Sequence, residues 1–409
     1  MHMSRVSDSP VRDRDFLLYF AGVTLSEVGV RGTLAINLYH VYLLTESSLF
    51  VGLVGLFQFV AVISLGPLGG AIADRVDRRT LVQVMQGVSL LTSAGLAAAT
   101  YLGVVTPLHI YVAVLLNTGA STFDMPARRA LIPGIVPRHQ LVKAFALVTP
   151  GRELAFMVGP ALGGVLVAIG GPGLMYAVDA GTYLVLIVSL AVLKITPAPR
   201  RSDHPTLARS ILDGFGYVRR RPIVWQLLGM DVVAMLFGAY MAVIPAIAED
   251  ILGVGPTGYG LLMSAVPAGA LLGSWFIFRS MHRLRGGHVV IWSVAAYGLA
   301  CIMLAQSRGL LLAIAAALAI GAFDAMGSTV RQAAVQVEIP DELRGRVSSI
   351  QQMATRGGPA LGTLHIGAVA GVLGPTLALT LGGVVPVLVA GAVAKFTRTL
   401  PAYDVPTSA

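Results

Sequence analysis

The sequence predicts an all-α membrane protein: twelve spanning helices in two pseudo-symmetric halves of six. Three observations carry that expectation. Only 12% of the 409 residues are charged while 56% are hydrophobic, against about a quarter charged in soluble domains. Apolar runs long enough to cross about 30 Å of hydrocarbon recur along the whole chain. Short motifs also repeat at a near-constant offset of about 200 residues. The net charge of +9 would suggest nucleic acid in a soluble protein, but the basic residues fall in short clusters between apolar runs. Nucleic acid is therefore not an expected partner, whereas the lipid bilayer is.

The twelve spans are expected near 16–44, 50–73, 80–102, 108–129, 141–169, 173–194, 222–248, 257–279, 288–306, 309–330, 345–371 and 375–396. A polar tail (1–15) precedes them. The first half occupies 16–194, a basic linker 195–221, the second half 222–396 and a C-terminal tail 397–409. With the N-terminus placed inside, twenty-five of the 29 lysines and arginines fall in inner segments, and Arg308 alone falls in an outer loop. That asymmetry predicts cytoplasmic termini and insertion in the cytoplasmic (inner) membrane. Arg31, Arg152 and Arg356 remain inside spans.

The repeat is specific. Gly159-Pro160-Ala161-Leu162-Gly163 recurs as Gly358-Pro359-Ala360-Leu361-Gly362, and Phe123-Asp124 recurs as Phe323-Asp324. Span 4 thus matches span 10, and span 5 matches span 11. Duplicated six-helix units are a transporter architecture with a midplane site between repeats. No phosphate-binding loop, nucleophile–base pair or metal motif stands out, so no enzyme, metal site or cofactor is expected. Cys301 lies in an apolar run and reads as a buried structural thiol.

Charges inside spans are costly and mark function. Glu27 and Arg31 lie four apart on one helical face of span 1, and Arg152 and Glu153 lie about eleven residues into span 5. Asp231 stands in span 7 with no partner evident in sequence. The two readings of Glu27, Asp231 and Glu153 are a static ion-pair cluster and proton exchange. Arg31, Arg152 and Arg356 could bind an anionic substrate group. Phe237 and Tyr240 could line an apolar pocket.

The loop Gly70-Ala71-Ile72-Ala73-Asp74-Arg75-Val76-Asp77-Arg78-Arg79 resembles the signature loop of the major facilitator superfamily, with Asp77 where that pattern has glycine. The stretch from Phe123 to Pro133 and the segment Gly214 to Pro222 are similar to its enterobactin-exporter-like, multidrug-efflux branch. The resemblance covers the whole chain. It implies a monomeric secondary transporter that exports drug-like or siderophore-like amphiphiles by alternating access, by antiport with protons. A lipid or lysolipid flippase of the same fold and a non-transporting membrane sensor are the alternatives. It also implies that spans 1 and 5 adjoin, so that Glu27, Arg31, Arg152 and Glu153 share one network, and that span 7 lines the cavity, where Arg356 could pair with Asp231. Asp74 would face the start of span 11, and Arg78 would meet Asp124, in a cytoplasmic gate with Gly70, Arg75 and Arg79. Gly159, Pro160, Gly163 and Gly164 resemble the antiporter motif, where the proline would bend the helix.

Overall fold

The computed structural model describes residues 10, 13–193, 221–280, 284–339 and 341–404; the side chains of 67–75, 341–350, 352, 353 and 356 are outside the description. The described chain is helical, without a strand. Its elements are α1 (Arg14–Thr45), α2 (Ser48–Arg75), α3 (Arg78–Tyr101), α4 (Pro107–Ile135), α5 (Leu141–Val192) and α6 (Pro222–Phe237). There follow a short α7 (Ile244–Ala246), α8 (Gly255–Ser280), α9 (Gly286–Ala305), α10 (Leu310–Glu338), α11 (Asp341–Leu373) and α12 (Pro375–Phe396).

Seven of the described helices are long and apolar enough to cross a bilayer. α1 and α4 are long but carry polar and charged residues in their middles, Glu27 and Arg31 in one and Asp124 and Arg128 in the other, which lowers their hydropathy. Large apolar side chains face outward, among them Phe278, 89% exposed, and Trp292, 70% exposed. A surface of that kind is solvated by lipid rather than water, and the chain is a multi-pass membrane protein.

One expected span is broken. Spans 5 and 6 are the two arms of α5, which meet at a kink where Gly170 and Gly171 leave helical geometry. Gly171 has φ of 74°, a conformation only glycine adopts cheaply. Span 7 stops at Phe237, and the chain turns before α7 and a π-helical turn, Ile247–Ile251. The Gly238 carbonyl freed there accepts from Tyr297 Oη at 2.7 Å and from Cys301 Sγ at 3.6 Å. A broken membrane helix needs such substitutes for its lost backbone bonds, and this places the buried Cys301 as a structural thiol.

The chain divides into two compact units, Met1–Ile36 with Ala61–His204, and Asn37–Val60 with Pro205–Ala409. The first unit's core gathers Phe16, Tyr19, Val82, Ala127, Ile132, Leu186 and Leu190. The second gathers Val224, Leu227, Val290, Ala334, Val335 and Leu400. The expected tail at 397–409 is partly docked, since Leu400 is fully buried and the Tyr403 carbonyl accepts from Gly287 N–H. The linker 195–221 lies outside the described residues except for Arg221, the cap of α6.

Asp77 explains its own departure from the signature loop. Its φ of −59° and ψ of 120° demand no glycine, and its carboxylate accepts from Thr80 N–H at 2.9 Å as the N-cap of α3. That backbone bond, ahead of the opposing effect of burial, holds its pKa below the usual value. The contribution is present above the unfolded carboxylate's pKa and fades as pH falls through the lower folded value. Asp77→Ala is expected to cost about 1 kcal/mol. Thermal unfolding in detergent should show the difference at neutral pH and lose it in acid.

Candidate functional site

The first unit holds a connected charge cluster. Arg128 Nε meets Asp124 Oδ2 at 2.6 Å, one turn away on α4. Its Nη1 lies 3.7 Å from Glu27 Oε1, and Glu27 Oε2 lies 3.6 Å from Arg31 Nη2. Ser26 Oγ accepts from Arg128, and the Arg128 carbonyl accepts from Tyr19 Oη at 2.7 Å. Arg31 also stacks over the Phe156 ring at 3.6 Å. Two acids and two guanidiniums leave this cluster neutral when all are ionised, which offsets the cost of burying it. Arg31 Nε is buried without a hydrogen-bond partner. Arg152 and Glu153 pair with each other at 3.2 Å and lie within electrostatic reach of Arg31.

This rearranges the expected network. Its hub is Arg128, which falls at the inner end of the expected span 4 (108–129) and, beside Arg129, reads in the sequence as an inner-segment charge. α4 continues to Ile135, so Arg128 is buried. The expected Arg78–Asp124 contact is absent: Asp124 is taken by Arg128, and Arg78 donates to the Ala130 carbonyl at 3.2 Å. Arg79 donates to the carbonyls of Ala191 and Leu193, capping the end of α5. Both loop arginines thus tie helix ends together inside the first unit. The side chains of Gly70, Asp74, Arg75 and Arg356 fall outside the described residues.

The second unit holds a counterpart. Asp231 is not unpaired, as its span suggested; Arg331 of α10 hydrogen-bonds it, with both side chains about 5% exposed or less. Asp324, the repeat of Asp124, stands within electrostatic reach of both Arg331 and Asp231. It also lies close to Tyr240, Tyr297 and Cys301. Phe237 packs edge-on against His365 with ring centroids 5.2 Å apart. Arg331 falls just beyond the expected end of span 10 at 330 and so reads as an inner-segment charge, but the helix runs on to Glu338. The signal that could have found Asp324 was the duplicated Phe-Asp pair.

The repeated glycine motifs pack alike. A Cβ on Gly159 would meet Arg31 Cβ at 2.6 Å and the Val28 carbonyl at 2.7 Å, and one on Gly163 would meet Ile36. One on Gly358 would meet Met235 Sδ at 3.0 Å, and one on Gly362 Ala239 Cβ at 2.8 Å. Each motif lets its helix close on the helix that carries the buried acid, Glu27 in one case and Asp231 in the other. Pro160 and Gly164 are buried in the same face. Asp179 is fully buried and accepts from Ser93 Oγ at 2.8 Å.

A further pair of bonds was not legible beforehand. Tyr39 and Tyr42, at the end of α1, donate to Glu249 and Asp250 of the π-helical turn. Tyr39 also stacks on Tyr259 with centroids 4.7 Å apart. No group of three or more His, Cys, Asp or Glu residues placed to hold a metal occurs among the described residues.

The comparisons agree with this architecture. The family described as transmembrane secretion effector matches residues 7–408. The enterobactin exporter EntS of Escherichia coli O1:K1 / APEC is 25% identical over 366 residues, covering 88% of this chain and 84% of that one. Its counterpart in Citrobacter koseri is 25% identical over 369 residues, covering 88% and 85%. Among solved structures, the nucleoside transporter NupG superposes with a TM-score of 0.77 at 15% identity over 94% of this chain and 100% of that one. A D-xylose–proton symporter superposes with a TM-score of 0.71 at 13% identity, covering 97% and 100%. The fold is that of membrane transporters and not of enzymes, and the chain belongs to the transmembrane secretion effector family of the major facilitator superfamily.

Proposed function

We propose that this secondary transporter exports amphiphilic small molecules of siderophore-like or drug-like character across the inner membrane, in exchange for protons. The observation that carries the export reading is the similarity to enterobactin exporters along nearly nine-tenths of the chain. The reading includes twelve spans in two six-helix halves, cytoplasmic termini and a monomeric carrier. The two GPALG segments, each packed on the helix of a buried acid, support the duplication. The charge asymmetry of the loops supports the orientation.

Arg31 is the residue we assign to an anionic substrate group, with Arg152 beside it. Its Nε donor is unused and its charge is shared with one acid at 3.6 Å rather than locked in a close pair. Asp74 with Arg75, in the loop after α2, remains our assignment for the inner gate. Glu27 and Glu153 belong to the same site as charge partners of these arginines. The tyrosine–carboxylate bonds of Tyr39 and Tyr42 are ones that alternating access must break when the opposite side opens.

Enterobactin flux from loaded proteoliposomes under an imposed pH gradient tests the reading. Wild-type protein should drive efflux that reverses with the gradient. Arg31→Gln should slow it about tenfold or more, the worth of a charge-assisted hydrogen bond. A wild-type rate equal to that of empty liposomes would refute export of this substrate class. Movement of labelled lipid without enterobactin flux would favour the flippase.

A further inference from the structure

The two charged clusters differ in their balance of charge. In the first unit Glu27 and Asp124 face Arg128 and Arg31, and the charges cancel. In the second, Asp231 and Asp324 face Arg331 as the one cation among the described residues. The Arg331 hydrogen bond goes to Asp231, and both are buried. Asp324 makes no ion pair or hydrogen bond among the described residues; the residue is reachable at the protein surface, although the protein packed around it strips much of its solvation. It nonetheless lies midway along α10, beside the buried Tyr297 and Cys301 of α9. An ionised carboxylate there is stable only where its accessible side meets water rather than hydrocarbon, in which a charge is expensive.

We propose that Asp324 is the carboxylate that takes up and releases the coupling proton, an inference that rests on the antiport reading above. Protonation leaves one carboxylate and one guanidinium, a neutral pair, with a carboxylic acid beside it. Loss of the proton restores one excess negative charge. The site therefore differs by a full charge between its two states, which an equilibrium between conformations requires if the proton is to bias it. The groups facing Asp324 are Arg331 on its own helix, Asp231 on α6, Tyr240 after it, and Tyr297 and Cys301 on α9. The titratable residues of α8, Tyr259 and Arg279, stand at opposite ends of that helix, which meets α10 through Gly269 and Gly273. Arg331 is thus the one cation in the group among the described residues. The alternatives in the molecule lack one of the two requirements. Asp231 is spoken for by Arg331, Glu27 and Asp124 are balanced, and Asp179 is sealed at 0% exposure, without access to exchange a proton.

Two measurements on the full-length protein in liposomes test this. Dicyclohexylcarbodiimide, an apolar reagent that modifies protonated carboxyl groups, should label the peptide carrying Asp324, as read by mass spectrometry. The label should fall as pH is raised and vanish in Asp324→Asn. Asp324→Asn should also lose pH-driven enterobactin accumulation at least tenfold while keeping exchange of enterobactin between two equal pools. Asp324→Glu should recover accumulation. Label confined to Asp231, Glu27 or Asp179, or undiminished accumulation by Asp324→Asn, would overturn the assignment. Wild-type flux indifferent to the gradient would instead overturn antiport itself, and would do so even with Asp324 labelled.

Discussion

Arg331→Met is expected to destabilise the protein by about 3–5 kcal/mol, the cost of leaving a buried charge without its partner. The arginine is 3% exposed and hydrogen-bonds Asp231, with Asp324 within electrostatic reach. Its removal leaves two carboxylates and no cation. Asp231→Asn leaves Arg331 with Asp324 still nearby, so its cost should be clearly smaller. The double change Arg331→Met with Asp231→Asn should then recover part of what Arg331→Met loses. Thermal unfolding in detergent micelles, followed by loss of monodispersity, ranks the three. Equal losses for Arg331→Met and Asp231→Asn would show that Asp324 does not share the guanidinium.

Gly159→Val should cost about 3 kcal/mol, the upper part of the range for overpacking a tight contact. The first added carbon already meets the Val28 carbonyl, Gly32 N and Arg31 Cβ at 2.6–2.9 Å. Two of those three are backbone atoms, so the helices must part rather than a side chain turn aside. Separation of α1 from α5 would also displace Arg31 from Phe156, and substrate flux should fall with stability. Gly362→Val should behave alike, because Met235 and Ala239 stand in the corresponding place. Gly181→Ala is the control: nothing lies within 4 Å of its added carbon, and the change should be neutral or stabilise by up to about 1 kcal/mol. A tolerated Gly159→Val would mean that the motif is not the contact that seats α1.

The helical membrane class, the repeat and the acids of the candidate site were legible in the linear chain. Each leaves a local mark: a long apolar run, a recurrent motif, or a charge where lipid forbids one. Glu27, Arg31 and Asp231 were found in that way. Arg128 and Arg331 were not, because they stand at the inner ends of their apolar runs, where an arginine is indistinguishable from a loop charge, while the helices continue past them. Burial by neighbouring helices, not hydropathy, makes them interior.

Pairing was decided by tertiary structure. Sequence spacing can place Asp124 and Arg128 on one face four residues apart, but it cannot say that Glu27 joins them across about a hundred residues, or that Arg78 turns to a carbonyl instead. The break at Gly238 needed Tyr297 and Cys301, sixty residues away, to satisfy the freed carbonyl. What the amino-acid order determined by itself was which segments prefer lipid and which charges must be accommodated within them. Which charge neutralises which, and which is left over, depended on helix contacts, because Coulomb energy in a poorly polarisable interior is set by ångström distances and not by separation along the chain.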